Sequence, residues 1–189
     1  MRIHSPQTAV PQVSALLDDT QDIKEITGLI RLADAVPGDE HKICALLAEL
    51  GAFYGGAPRG SAGQRAAQVA AVLFEEKLVR ALLAWDGDSL AGLAAYSFLW
   101  PAVGVTTSLY LKELYVAESH RRTGTGKLLM QALHAIAADR GCSRVEWTTD
   151  TDNAGAQVFY DSLGVKPLPT KIFYRSALPN DGSAQPGDA

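Results

Sequence analysis

Residues 108–142 read SLYLKELYVAESHRRTGTGKLLMQALHAIAADRGC, and the reading of this run decides the fold. Leu109–Val116 mixes branched, aromatic and polar residues of high strand propensity, which predicts a β-strand. Leu128, Leu129, Leu133, Ile136 and Ala137 recur at helical spacing, so a long amphipathic helix follows. Between the two lies a basic turn, Arg121-Arg122-Thr123-Gly124-Thr125-Gly126-Lys127. The first N–H groups of a helix have no acceptor within it, and the helix dipole adds partial positive charge there. Glycines let the backbone turn tightly and approach a bulky ligand with no Cβ in the way. With cationic side chains alongside, the turn suits a phosphate or pyrophosphate.

Known anion-binding patterns can be set against this turn. A Walker loop needs Gly where Arg121 stands, and Ser or Thr where Leu128 stands. A dinucleotide fingerprint needs a third Gly at the position of Leu129. Both fail. What fits is Arg-x-x-Gly-x-Gly, from Arg121 to Gly126, placed after a strand and opening a helix.

On that motif, with LYLKELYV before it and Asn153 and Phe159-Tyr160 after it, the chain resembles the GCN5-related N-acetyltransferases. The resemblance runs from about Ile30 to about Arg175 and looks nearest to the diamine (spermidine/spermine-type) branch. It implies an α/β fold, with a mixed, mostly antiparallel central sheet of six to seven strands and helices on both faces. It also implies acetyl-CoA as co-substrate and no metal. Main-chain groups of Leu114, Tyr115 and Val116 would bond the pantetheine arm like an added strand. Amides of Arg122, Thr123, Gly124, Thr125, Gly126 and Lys127 would take the pyrophosphate, with Arg121 as the motif's leading basic residue. Asn153 matches an asparagine that contacts the cofactor arm. Taken alone it reads as a helix N-cap, and the two roles are compatible.

The implied reaction moves an acetyl group to a primary amine of a small molecule, polyamine-like or amino-acid-like, by direct attack in a ternary complex. Tyr160 matches the family tyrosine beside the leaving sulfur, and a phenol of ordinary pKa ~10 can protonate it. Without that pattern, a tyrosine on an amphipathic helix is core or rim. A primary amine of pKa ~10.4 arrives protonated, so it must lose a proton before attack. Glu113 is the candidate base, through water, or an anchor for the ammonium; its plain alternative is a surface-facing strand glutamate. The diamine branch carries two adjacent acids on this strand, whereas here the first is Lys112, and a further acid is replaced by Tyr54. A lysine at that point repels a polyamine. Two other readings keep the motif: an acceptor that is a protein lysine or N-terminus, and a non-catalytic acyl-CoA-binding module. Cys142, His120 and His134 carry no paired chemistry in the sequence and read as structural or incidental.

The 189 residues are enough for one domain with a real core. A net charge of −4 argues against a general nucleic-acid binder. No apolar run reaches the ~20 residues that span a bilayer, and no secretory signal is evident, so no membrane is expected. The two cysteines, Cys44 and Cys142, lack metal or redox spacing, which favours a reducing cytoplasm. Diamine-type relatives form homodimers, and the resemblance extends that expectation here.

In order, residues 1–28 read as a weakly ordered extension, with Val13–Ile26 as a candidate helix. The catalytic domain is expected over 29–175, and 176–189 as a disordered tail. Within the domain, Leu29–Ala33 predicts a strand, and Ile43, Leu46, Leu47 and Leu50 a helix stopped at Gly51. Phe53–Pro58 is a loop whose aromatics either line an amine channel or join the core. Ser61 and Gln64 form a capping box for a helix through Phe74. Leu78–Trp85 and Leu90–Leu99 predict strands joined at Asp86-Gly87-Asp88. Arg144–Asp150 predicts another strand, Asn153–Leu163 a short helix, and Thr170–Arg175 a last strand.

Overall fold

The computed structural model describes residues 30–176; the expected N-terminal extension, with Val13–Ile26, and nearly all of the expected tail lie outside them. The chain divides into a unit ending at Thr148 and a second beginning at Thr149. The first contains β1 (Ile30–Asp34), α1 (Glu40–Phe53), α2 (Ala62–Ala70), β2 (Arg80–Asp86), β3 (Ser89–Leu99), β4 (Ser108–Val116), α3 (Thr125–Asp139) and β5 (Val145–Glu146). The second contains α4 (Ala154–Ser162). No helix among the described residues is long and apolar enough to cross a membrane.

The sheet runs β1-β2-β3-β4-β5, antiparallel as far as β4, with β5 parallel to it. Asp86 pairs with Ser89, so Gly87-Asp88 is a two-residue hairpin loop, and Gly87 takes the left-handed φ of 54° that such loops favour. Strand alternation sorts the side chains onto two faces. Ala81, Leu83, Trp85, Leu93 and Tyr115 pack with Ile43 and Leu46 of α1. Their alternates Leu82, Ala84 and Ala94 are fully buried on the other face. There α3 inserts Leu128, Leu129, Met130, Leu133 and Ile136. The capping box of α2 forms as expected, with the Gln64 N–H donating to Ser61 Oγ at 3.2 Å and the Ser61 N–H to Gln64 Oε1 at 2.8 Å.

The strand count needs correction. The described sheet has five strands, not six to seven. The expected strand over 170–175 does not form, and Ile172, Phe173 and Tyr174 are exposed. Their β-propensity reflects side chains suited to a half-buried sheet surface, and without a ladder partner it makes no strand. The strand expected over Arg144–Asp150 shrinks to Val145–Glu146, paired only to Leu109 and Tyr110. From Leu111 onward, β4 therefore has no strand partner on that edge among the described residues. On its other edge the register breaks: Ala95 faces Glu113 but Tyr96 faces Leu111, so Lys112 and Glu113 together oppose Ala95. This is a β-bulge, a device that re-aims side chains and bends a strand.

Gly92 lets α3 approach the sheet. A Cβ there would meet the Tyr115 carbonyl oxygen at 3.0 Å, Leu129 Cδ1 at 3.3 Å and Thr125 Cγ2 at 3.4 Å. The Tyr115 oxygen is backbone and cannot yield cheaply. Gly92→Ala is expected to cost about 1–3 kcal/mol, read as a lower midpoint in thermal denaturation.

Candidate functional site

The turn between β4 and α3 is built from local backbone constraints. After Val116 comes a single 3₁₀ turn, Glu118–His120, and then an extended Arg121. Arg122 is left-handed at φ 63° and Gly124 at φ 88°, and α3 begins at Thr125. Thr123 Oγ1 donates to the His120 carbonyl at 2.6 Å and lies 2.9 Å from the hydroxyl of buried Thr125. The first helical N–H with a partner in its own turn is that of Leu128, which donates to the Gly124 carbonyl at 3.0 Å. The amides of Thr125, Gly126 and Lys127 stand ahead of it as the unmatched donors of the first turn. Left-handed residues among such amides shape a concave anion cradle. A non-glycine residue held left-handed, as Arg122 is, stores about 1 kcal/mol or more.

The Arg121 guanidinium is engaged beside the cradle. Its Nη2 donates to the Tyr115 hydroxyl at 3.0 Å and its Nε to the Val116 carbonyl at 3.3 Å. It also sits over the rings of Phe53 and Tyr115, at 5.2 and 5.5 Å. The Tyr115 hydroxyl donates to Glu49 Oε1 at 3.0 Å, and the Glu118 N–H reaches the same oxygen at 2.8 Å. Burial, then the Glu49 carboxylate, push the Tyr115 phenol above its ordinary range, against the pull of Arg121, so it stays a donor at neutral pH. On the other side, His120 Nε2 lies 3.3 Å from Asp86 Oδ2, and Nδ1 lies 2.9 Å from the Ser119 hydroxyl. Neither Glu49 nor Asp86 was legible as a site residue. Glu49 is a lone acid with no motif around it, Asp86 reads only as part of a hairpin turn, and the role of each arises from contacts distant in sequence.

Leu114, Tyr115 and Val116 lie on the part of β4 beyond its pairing with β5, so their outer backbone groups face no strand among the described residues. Glu113 is half-buried and shares the face of Tyr115, two residues on; Lys112 is exposed. A cavity of about 340 Å³ lies between α1, α2, β2 and β3, lined by apolar groups of Leu47, Val69, Leu73, Leu93 and Ala95. Ala95 is the residue opposite Glu113. Cys44 also lines it, and burial pushes its thiol up, which keeps it protonated and poorly nucleophilic. Cys142 Sγ sits 3.4 Å from the Thr107 hydroxyl. Phe53 and Tyr54 are 56% and 57% exposed, so the core reading of Phe53 fails; the two rings meet edge-on at 5.2 Å.

Asn153 and Tyr160 belong to the second unit. Asn153 is an N-cap: its Oδ1 accepts from the Ala156 N–H at 3.0 Å and starts α4. Phe159 and Tyr160 are half-buried on that helix, their ring centroids 5.1 Å apart. The helix ends before Gly164, which is left-handed at φ 77°.

Comparison with known proteins follows the same lines. The family described as Acetyltransferase (GNAT) family matches residues 46–165. A thialysine N-epsilon-acetyltransferase of Caenorhabditis elegans is 29% identical over 89 residues, 47% of this chain and 55% of that protein. The L-ornithine N5-acetyltransferase NATA1 of Arabidopsis thaliana is 31% identical over 77 residues, 41% of this chain and 34% of its own. The chain thus spans about half or less of the length of these two relatives. An integron cassette protein from the mobile metagenome of V. cholerae superposes with a TM-score of 0.73 at 28% identity, covering 79% of this chain and 93% of that one.

The left-handed Arg122 sets strain against charge. Arg122→Gly is expected to raise stability by about 0.5–1 kcal/mol in thermal melts. The same change removes a cation from the turn and is expected to weaken binding of inorganic pyrophosphate several-fold in calorimetry.

Proposed function

The chain belongs to the acetyltransferase (GNAT) family, and from that premise we propose that it transfers an acetyl group from acetyl-CoA to a primary amine of a small molecule in a ternary complex. The observation that carries this reading is the cradle itself: unmatched first-turn amides of α3, framed by left-handed Arg122 and Gly124, next to a strand edge that has no strand partner from Leu111 among the described residues. A diphosphate fits the cradle, and an amide-bearing pantetheine arm fits the edge. In this reading amides from Arg122 to Lys127 take the diphosphate behind Arg121. Main-chain groups of Leu114, Tyr115 and Val116 take the arm, and Asn153 adds a contact to it.

Bound acetyl-CoA supplies an activated acyl carbon. Glu113, through water, takes the proton that the ammonium must lose before its nitrogen bonds to that carbon. As the carbon–sulfur bond breaks, Tyr160 gives its proton to the departing sulfur, and the second proton that the nitrogen must lose to become an amide passes to solvent. Solvent restores both groups to their starting protonation. The support for Tyr160 is the Phe159-Tyr160 pair preceding Gly164, and for Glu113 its half-buried place on the α1 face of β4.

A small acceptor is favoured because the cavity beside Ala95, the cross-strand neighbour of Glu113, is mostly apolar and holds about 340 Å³, unlike a wide acidic groove for a protein chain. The C. elegans and A. thaliana relatives are named for thialysine and ornithine, both amino acids. Lys112 and Glu113 set a cation beside an anion opposite one residue, Ala95. That pair matches an acceptor carrying both carboxylate and ammonium better than a polyamine. A cytoplasmic homodimer completes the proposal, on the cysteine pattern and the family resemblance.

Tyr160→Phe is expected to lower kcat by about 10²-fold while the acetyl-CoA Kd measured by calorimetry stays within about twofold; unchanged turnover would remove Tyr160 from the chemistry. In a thiol-release assay, ornithine should be preferred about tenfold over putrescine, the same chain without its carboxylate. Lys112→Glu should reverse that order, and equal use of both amines by the two proteins would sink the amino-acid reading.

A further inference from the structure

We infer that Glu49 is the positioning residue of the anion cradle, an inference that rests on the function proposed above. Glu49 is on α1, away from the Arg-x-x-Gly-x-Gly motif, yet one of its oxygens accepts from two donors of the segment that leads into the cradle. These are the Tyr115 hydroxyl at 3.0 Å and the Glu118 N–H at 2.8 Å. The Tyr115 hydroxyl in turn accepts from Arg121 Nη2 at 3.0 Å, while Arg121 Nε holds the Val116 carbonyl at 3.3 Å. Two of these four hydrogen bonds tie the end of β4 and the following turn to α1 through Glu49, and the other two brace the turn against β4 through Arg121. Each of the three side chains loses one of its partners when its neighbour moves.

The brace also reaches the other side of the site. The Arg121 guanidinium covers the ring of Phe53, the last residue of α1, which meets Tyr54 edge-on where the α1–α2 connection begins. Cradle and connection thus share one cation. Hydrogen bonds to a charged group are the strong class, and a carboxylate that accepts two of them fixes the geometry of both donors. Arg121 held this way sets the shape of the turn from behind. The diphosphate is left to the amides of 122–127 and to the charges of Arg122 and Lys127. Presetting the turn removes an ordering cost from cofactor binding, so the effect of Glu49 falls on affinity and not on the chemical step.

The test is calorimetric titration of acetyl-CoA into the full chain and its variants, with kcat measured at saturating acetyl-CoA and amine. Glu49→Ala is expected to weaken acetyl-CoA about tenfold and leave kcat within about threefold. Glu49→Gln keeps an oxygen for both donors and should recover affinity to within about threefold of the natural protein. Tyr115→Phe, which deletes one hydroxyl, should weaken binding several-fold, and it carries the test by itself if Glu49→Ala does not fold. Combining Tyr115→Phe with Glu49→Ala should cost no more than Glu49→Ala alone, because the two act in one network. Unchanged or tighter binding by Glu49→Ala, as when a freed Arg121 falls onto the diphosphate, overturns the inference; so do additive losses in the double variant. Absence of acetyl-CoA uptake by the unaltered chain would overturn the proposed function first and this inference with it. Equal uptake by all variants overturns this inference alone.

Discussion

The N–H groups that open α3 have no acceptor in their own helix, and much of the chain is disposed to keep them available. An unmatched donor in a dry place is costly, whereas at a mouth lined by cations it is a standing invitation to an anion. Holding it there requires that the helix start at one fixed place. Buried Thr125 anchors the first turn, bare Gly92 lets it press on β3, and the left-handed Gly124 ends the incoming loop. From the two flanks, Glu49 and Asp86 hold the lead-in through Tyr115, Glu118 and His120. The chemistry proposed for the site follows from that fixity, since affinity for a flexible diphosphate depends on how much of its receptor is already in place.

The other organising feature is the break in register opposite Ala95. A regular ladder would send Lys112 and Glu113 to opposite faces of the sheet. With the bulge the two stand together against one partner residue, and Glu113 shares the face of Tyr115 and α1. Charge placement on this strand is therefore a property of backbone register as much as of residue identity.

Local signals made most of this architecture legible. The alternation of β2, β3 and β4, the Gly87-Asp88 hairpin, the Ser61/Gln64 box and the periodicity of α3 are each written within a dozen residues, and each formed as read. The Arg-x-x-Gly-x-Gly turn was readable for the same reason. What escaped depends on partners far along the chain. The Thr170–Arg175 segment has strand-like composition but no neighbouring ladder to join, and β5 stops after two residues because it meets β4 only at Leu109 and Tyr110. Glu49 looks like any helix glutamate until β4 and the cradle are folded against it. Likewise, Lys112 could be seen to replace an acid, but the bulge that sets it beside Glu113 could not.

A row of unpaired N–H and C=O groups along a strand serves more than one guest, because the edge of any other extended chain can dock there as readily as a small molecule. On β4 the edge that lacks a strand partner among the described residues starts at Leu111, next to the kink that carries exposed Lys112. Kinks and lysines are two of the means by which natural sheets discourage edge-to-edge self-association. The irregularity that gives β4 its mixed charge is thus also of the kind that discourages another extended chain from pairing along the edge beyond Leu111.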